Sequence, residues 1–171
     1  PFDTFNASLL KLIKKSTLKY YNANIIVSPK KTLPKQAYYK PNRRWRADEL
    51  LWYLEKNTPV QITKVVGLTN KDISTTKGKI YDWGIFGLAS VTGRTCMVST
   101  FRLRFGNVHI KKFHERIIKV VIHELGHTFG LFHCQTPRCM MNDAKGTIRT
   151  VDNESGKFCD TCRKKLKHVL R

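Results

Sequence analysis

His123-Glu124-Leu125-Gly126-His127-Thr128-Phe129-Gly130-Leu131-Phe132-His133 is the stretch on which the reading of this chain turns. It closes the run Phe113–Phe129, in which Ile118, Val121 or Ile122, Leu125 and Phe129 recur at helical spacing, so one long helix is predicted there. With about 3.6 residues per turn, His123 and His127 share a face of that helix and can offer two imidazoles to one zinc ion. Glu124 follows the first ligand and so projects beside the metal rather than onto it. A carboxylate there can take a proton from a zinc-activated water as general base. Matches to these five residues alone also arise by chance. His114-Glu115, earlier in the same run, is a decoy of this kind, because the position four residues after His114 is Ile118. The extension is far more restrictive. Gly130 predicts a left-handed bend that ends the helix, after which the chain doubles back and His133 reaches the metal from outside. Three protein ligands leave a fourth position for water, which marks a catalytic rather than a structural zinc.

Four of the five cysteines stand immediately beyond this stretch, as Cys134-x4-Cys139 and Cys159-x2-Cys162. Two closely spaced pairs of thiolates suit a closed tetrahedral zinc site that pins the C-terminal segment onto the rest of the chain. Two disulfides are the competing reading. Zinc is preferred because C-x2-C is a common metal knuckle and the first pair abuts His133. Two zinc ions per chain follow, one catalytic and one structural. Cys96, without a partner in an apolar run, reads as a small buried hydrophobe.

Upstream, helices and strands alternate. Phe5, Leu9, Leu12 or Ile13 and Leu18 predict a helix within Phe2–Lys19, and Asn24–Val27 a short strand. Arg44–Lys56 reads as a second helix stopped by Asn57-Thr58-Pro59, and Val60–Leu68 holds a buried strand with its core at Lys64–Thr69. Trp83–Ser90 and Cys96–Leu103 read as two more strands joined by the turn Thr92-Gly93-Arg94. After Gly130 the chain is expected to be irregular until a short basic helix from about Asp160 to the end. The order gives an α/β or α+β architecture, a single domain over residues 1–171. Within it, residues 1–130 form a sheet-and-helix subdomain and residues 131–171 a C-terminal subdomain held by the structural zinc.

Taken together, the spacing from His123 through Met141 to Cys162 resembles the archaemetzincins along their whole signature, without departure in residue type or spacing. Gly67-Leu68-Thr69 with Asp72, Phe86-Gly87-Leu88-Ala89 and Ser99-Thr100-Phe101-Arg102-Leu103 resemble that family's core strands, while the part before about residue 40 is only weakly similar. The resemblance implies a compact metzincin fold, a twisted mixed sheet packed on long helices with a C-terminal four-cysteine zinc segment. Met141 matches the methionine of the tight turn beneath the catalytic zinc. It is expected to fill the floor of the site rather than ligate. Architecture of this kind would lay a peptide substrate extended along an edge strand at about Ile85–Ser90, with Ile85, Gly87 and Ala89 against its backbone.

The resulting reading is a zinc metallopeptidase that cleaves peptide bonds with water and forms no covalent intermediate. A zinc-binding protein that recognises peptides or partners with little turnover is the alternative, and a nucleic-acid-binding zinc module a third. The last is motivated by a net charge of +20, from 32 Lys and Arg against 12 Asp and Glu. The basic residues are spread along the chain and no nucleic-acid motif is present, so a solvated surface is preferred and no specific nucleic acid is expected. No apolar run approaches the ~20 residues of a transmembrane helix. Metal-bound thiols favour a reducing cytoplasm. The chain starts at Pro1 without an initiator Met, however, so an export signal or a first strand ahead of it stays open. A monomer is the expectation, though nothing in the sequence addresses assembly.

Overall fold

The computed structural model describes residues 1–169, and its elements run α1 (Ala7–Thr17), β1 (Tyr38–Tyr39), β2 (Arg44–Arg46), α2 (Ala47–Asn57), β3 (Val65–Thr69), β4 (Ile73–Lys77), β5 (Ile80–Ile85), β6 (Gly87–Ala89), β7 (Thr95–Ser99), α3 (Ile110–Thr128), α4 (Ile148–Asn153) and α5 (Asp160–Leu166). Hydrogen bonding divides the strands into two mixed sheets, ordered β1-β2-β4-β5 and β3-β7-β6. β7 lies at the middle of the second sheet, parallel to β3 and antiparallel to β6. All five of its residues are buried. Its side chains alternate between two cores, Cys96 and Val98 on one face and Met97 on the other, as the two-residue period of a strand requires.

The helices take their places from their apolar faces. Leu9 and Ile13 of α1, one turn apart, enter the same core as Ile117, Val121 and Leu125 of α3. Asn6 caps α1 by accepting from the Leu9 N–H at 2.8 Å. Leu50 and Leu54 of α2 pack on the opposite face of the sheet with Met97 and Ile73. Gly67 is required on that side, since a Cβ there would meet the Met97 sulfur at 2.0 Å and Leu54 Cδ1 at 2.7 Å. α2 carries Asp48 and Glu49 in its first turn and Lys56 in its last, charges that complement the helix dipole. Phe158 and Leu166 of the C-terminal segment join the α1–α3 core. No helix of the described residues is long and apolar enough to cross a membrane.

Several expectations are corrected. Asn24–Val27 forms no strand: residues 22–30 are irregular, and Ile26 is 69 % exposed. β-branched residues favour extended pairing only where a neighbouring strand accepts it, and none does here. The predicted helix Arg44–Lys56 begins as β2, because Trp45 pairs with Tyr38 on one side and Ile73 on the other, and the helix starts at Ala47. The strand predicted within Val60–Leu68 forms only at its expected core, as β3, Val65–Thr69. The Trp83–Ser90 run divides at Phe86, its first half pairing with β4 and its second with β7. Beyond Ser99 the chain turns into a 3-10 segment, Arg102–Arg104. β4 lies in a stretch for which no element is expected, and α4 in the stretch after Gly130 expected to be irregular. The predicted last helix is regular as far as Leu166, and its final residues Leu170 and Arg171 lie outside the described residues.

Part of the basic charge is internal rather than solvated. Arg44 and Arg102 converge on Asp72 at 3.0 and 2.7 Å, and Arg116 forms two 2.8 Å bonds to Asp152.

Candidate active site

The local sequence builds the site from the end of α3. At Gly130, φ is +90°, the left-handed value the bend demands. Gly130 N–H donates to the His127 carbonyl at 2.9 Å and Leu131 N–H to the Gly126 carbonyl at 3.0 Å, the paired closing bonds of a Schellman end. The chain reverses there, and His133 returns to the α3 histidines. Its ring centroid lies 5.4 Å from that of His123 and 4.9 Å from that of His127. One donor atom from each of the three histidines lies within 4.8 Å of the others.

The tautomers are set by backbone acceptors. His123 Nδ1–H donates to the Met140 carbonyl at 2.8 Å, and His127 Nδ1–H to the Leu131 carbonyl at 2.6 Å. A carbonyl oxygen can only accept, so both Nδ1 atoms carry the proton and both Nε2 atoms carry a lone pair. These Nε2 atoms face each other at 3.1 Å. Burial, then the neighbouring His127, pushes His123 down to about 3, and burial lowers His127 as well. His133 stands exposed at the mouth, its Nδ1 4.0 Å from Asp143 Oδ2.

Glu124 lies beside this group, buried, and burial drives its carboxyl up to about 8. Gly87 makes room for it: a Cβ at that position would meet Glu124 Oε1 at 2.6 Å. Met141 is fully buried with its sulfur against Gly126, where an added Cβ would lie 2.6 Å from it, so it forms the floor between the two helical histidines. The preceding residue of the same turn supplies the carbonyl that orients His123. Sequence patterns could not reveal the two backbone acceptors, since a carbonyl has no letter of its own.

The cavity above has a volume of about 390 Å³, and Gly87, Ala89, His123, Glu124, His127 and His133 all line it. β6 is the edge strand of its sheet. Ser90 N–H donates to Thr95 and Ser99 N–H to the Phe86 carbonyl, so alternate residues 86, 88 and 90 face β7. By the same alternation the N–H and C=O groups of Gly87 and Ala89 point outward to the free edge. Ile85 also lines the cavity but belongs to β5, paired with Ile73, so it does not share a strand with the other two.

The four cysteines also converge. Cys134 and Cys159 sulfurs lie 3.7 Å apart, Cys139 and Cys162 sulfurs 3.9 Å, and all four fall within 4.8 Å of one another. Four sulfurs at the ~2.3 Å of a zinc–thiolate bond would stand about 3.8 Å apart at tetrahedral corners. A disulfide would bring two of them to roughly 2.05 Å, far inside the observed spacing. Backbone N–H groups of Thr136 and Met141 point at Cys134 and Cys139 sulfurs at 3.4 and 3.5 Å, the support that thiolate ligands need. Cys96 is buried in the core, and burial holds its thiol well above the ordinary range.

Residues 11–168 match peptidase family M54. The chain belongs to that family. It is a zinc metallopeptidase, and its His and Cys clusters are the groups that could hold metal. An archaemetzincin of Halobacterium salinarum is 31 % identical over 171 residues, 96 % of this chain and 95 % of its own. The crystal structure of archaemetzincin from Methanopyrus kandleri superposes with a TM-score of 0.81 at 32 % identity, covering 98 % of this chain and 90 % of that one. That of Archaeoglobus fulgidus, complexed with malonate, gives 0.80 at 28 % identity, with 96 % of each chain covered. Among the residues that line the M54 chain's cavity, Val120, Val151 and Glu154 were not singled out from sequence. Val120 could have been found, since it stands on the helical face of His123 and Glu124. Glu154 carried no signal.

Proposed function

We propose that His123, His127 and His133 hold a catalytic zinc, that Glu124 is the general base, and that Cys134, Cys139, Cys159 and Cys162 hold a second, structural zinc. The observation that carries this is the pair of Nε2 lone pairs 3.1 Å apart. With both Nδ1 protons committed to carbonyls, no hydrogen bond can join them, and two lone pairs at that distance repel unless a cation lies between. Nitrogens at ~2.0–2.1 Å from one zinc would stand about 3.3 Å apart at tetrahedral corners, close to the separation found. Zinc bound there supplies Lewis acidity towards water and the scissile carbonyl.

The chain's own groups do the rest. Glu124 takes a proton from the attacking water and delivers it to the departing amide nitrogen, so a peptide bond and a water become an acid and an amine. Its burial favours the neutral form, and a dication alongside draws it back towards the ionised base. Gly87 and Ala89 offer an outward row of N–H and C=O groups on which an extended peptide backbone can pair beside Glu124. The single domain over residues 1–171, with the C-terminal segment pinned by thiolates behind His133, keeps the third histidine near α3.

Cleavage of a peptide library by the zinc-loaded protein and by Glu124→Gln tests this. The variant should retain zinc and lose at least ~10²-fold in kcat/KM. Equal turnover by the two proteins would remove Glu124 from the mechanism.

A further inference from the structure

Two acidic side chains of the cavity, Asp143 and Glu154, are not used by the chemistry above, and of these Asp143 stands beside His133 while Glu154 has no such neighbour. It is the residue that ends α4, only 6 % exposed, and it lines the same cavity as Glu124. Its carboxylate takes no hydrogen bond and no ion pair among the described residues. Lys119 is nearby, but its ammonium is held by backbone carbonyls, at 2.9 Å from Val151, 3.4 Å from Asp152 and 2.7 Å from Glu154. Burial pushes the Glu154 carboxyl up to about 8 despite the attraction of Lys119. Lys77 and Lys145 also line the cavity and help to hold Asp143 below the usual carboxylate range, but neither acts on Glu154. A largely buried carboxyl without a protein partner is costly, and Glu154 lines the cavity that the proposed substrate would occupy.

Val120 and Val151 line the same cavity. Val120 stands about one helical turn, ~5.4 Å, before Glu124 on α3, and Val151 stands one turn before Glu154 on α4. The cavity lining therefore brings an unbonded carboxyl and aliphatic surface together. That combination matches a Lys or Arg side chain, which lays a methylene stem on apolar surface and needs a counter-charge for its head. We propose that Glu154 selects peptides carrying a basic side chain next to the scissile bond, the stem lying over Val120 and Val151 and the charged head on the Glu154 carboxylate. This rests on the catalytic reading above and adds a substrate class to it.

Three hydroxamate-capped peptides differing in the side chain beside the metal-binding group, arginine, its neutral isostere citrulline, or norleucine, are titrated calorimetrically into the zinc-loaded protein. The arginine peptide should bind at least tenfold more tightly than the citrulline peptide, and Glu154→Gln should bring that ratio close to one. A ratio near one in the native protein overturns the inference without any variant, so a poorly folding Glu154→Gln does not blunt the test. A tenfold ratio retained in a folded Glu154→Gln also overturns it. Binding of no peptide, or binding indifferent to zinc removal, strikes down the catalytic reading and this inference together. Equal binding of all three, lost without zinc, strikes down only the role of Glu154.

Discussion

Gly87→Ala is the sharpest single-atom perturbation of this site. The new Cβ would lie 2.6 Å from Glu124 Oε1, 2.7 Å from its Cγ and 2.8 Å from its Cδ. Ordinary contact starts at 3.4 Å, so the carboxylate must retreat by close to 0.8 Å. The backbone at 87 is not left-handed, so alanine adds no φ strain and the displacement is the main effect. Misplacing a catalytic group by around 1 Å can cost about 10²-fold in rate. That is ~2.7 kcal/mol at 1.36 kcal/mol per decade. None of the three histidines is among the nearest atoms to the new Cβ, so metal content should be untouched. The assay is kcat/KM on a fluorogenic peptide, with zinc per chain measured on the same sample. The expected result is a fall of ~30- to 100-fold at unchanged zinc. Activity within twofold of the parent would refute the claim that Glu124 must sit against β6 to move its proton.

Two further outcomes follow from other parts of the structure. Cys139→Ser should reduce zinc from two per chain to one and lower stability by on the order of 3 kcal/mol or more, read by metal analysis and thermal melting; two zinc ions retained would dismiss the four-thiolate site. Asp152 is held below the usual carboxylate range chiefly by its hydrogen bond with Arg116, so the stability it contributes is complete above an unfolded pKa of about 3.9 and is lost as pH falls through the folded value. Asp152→Asn should cost about 3 kcal/mol at neutral pH, since buried Arg116 keeps the Leu103 and Phe105 carbonyls but loses its counter-charge and one of its two acceptors, the amide offering one oxygen and turning a donor towards it, and should flatten the decline in stability below about pH 4. Denaturant melts across pH 2.5–7 check it, and an unchanged acid slope would show that the ion pair is not what titrates (the range taken around ~3.9).

Legibility in the sequence tracked how local the determining physics is. α3 and its glycine end were readable because helical period and a φ > 0 bend are properties of neighbouring residues. The convergence of His133 followed from that bend alone. The sheet was read less well, because a strand exists only where a partner lies beside it. Ile25, Ile26 and Val27 have every local inclination to be extended and remain irregular, while Ser74, Thr75 and Thr76, polar and turn-like in sequence, form β4 between β2 and β5. Phe86 makes the same point: nothing at that residue announces that the chain leaves one sheet and enters the other.

Within the site, residue identity named the donors but not their protons. That both imidazoles present bare Nε2 atoms to each other depends on the carbonyls of Met140 and Leu131, delivered by the methionine turn and the helix end. Every residue has a carbonyl, so only folding decides which two do this work. The same limit explains why Glu154 was invisible. Its significance is a matter of what it lacks, a cation bonded directly to it in a chain carrying a net +20, and an absent partner cannot be read along a sequence. A protein so rich in Lys and Arg could have neutralised that carboxylate from many positions. Lys119 comes near and is instead held by three main-chain carbonyls, so the Glu154 carboxyl stays without a bonded cation of its own, and under the proposal above it ionises against one brought by substrate.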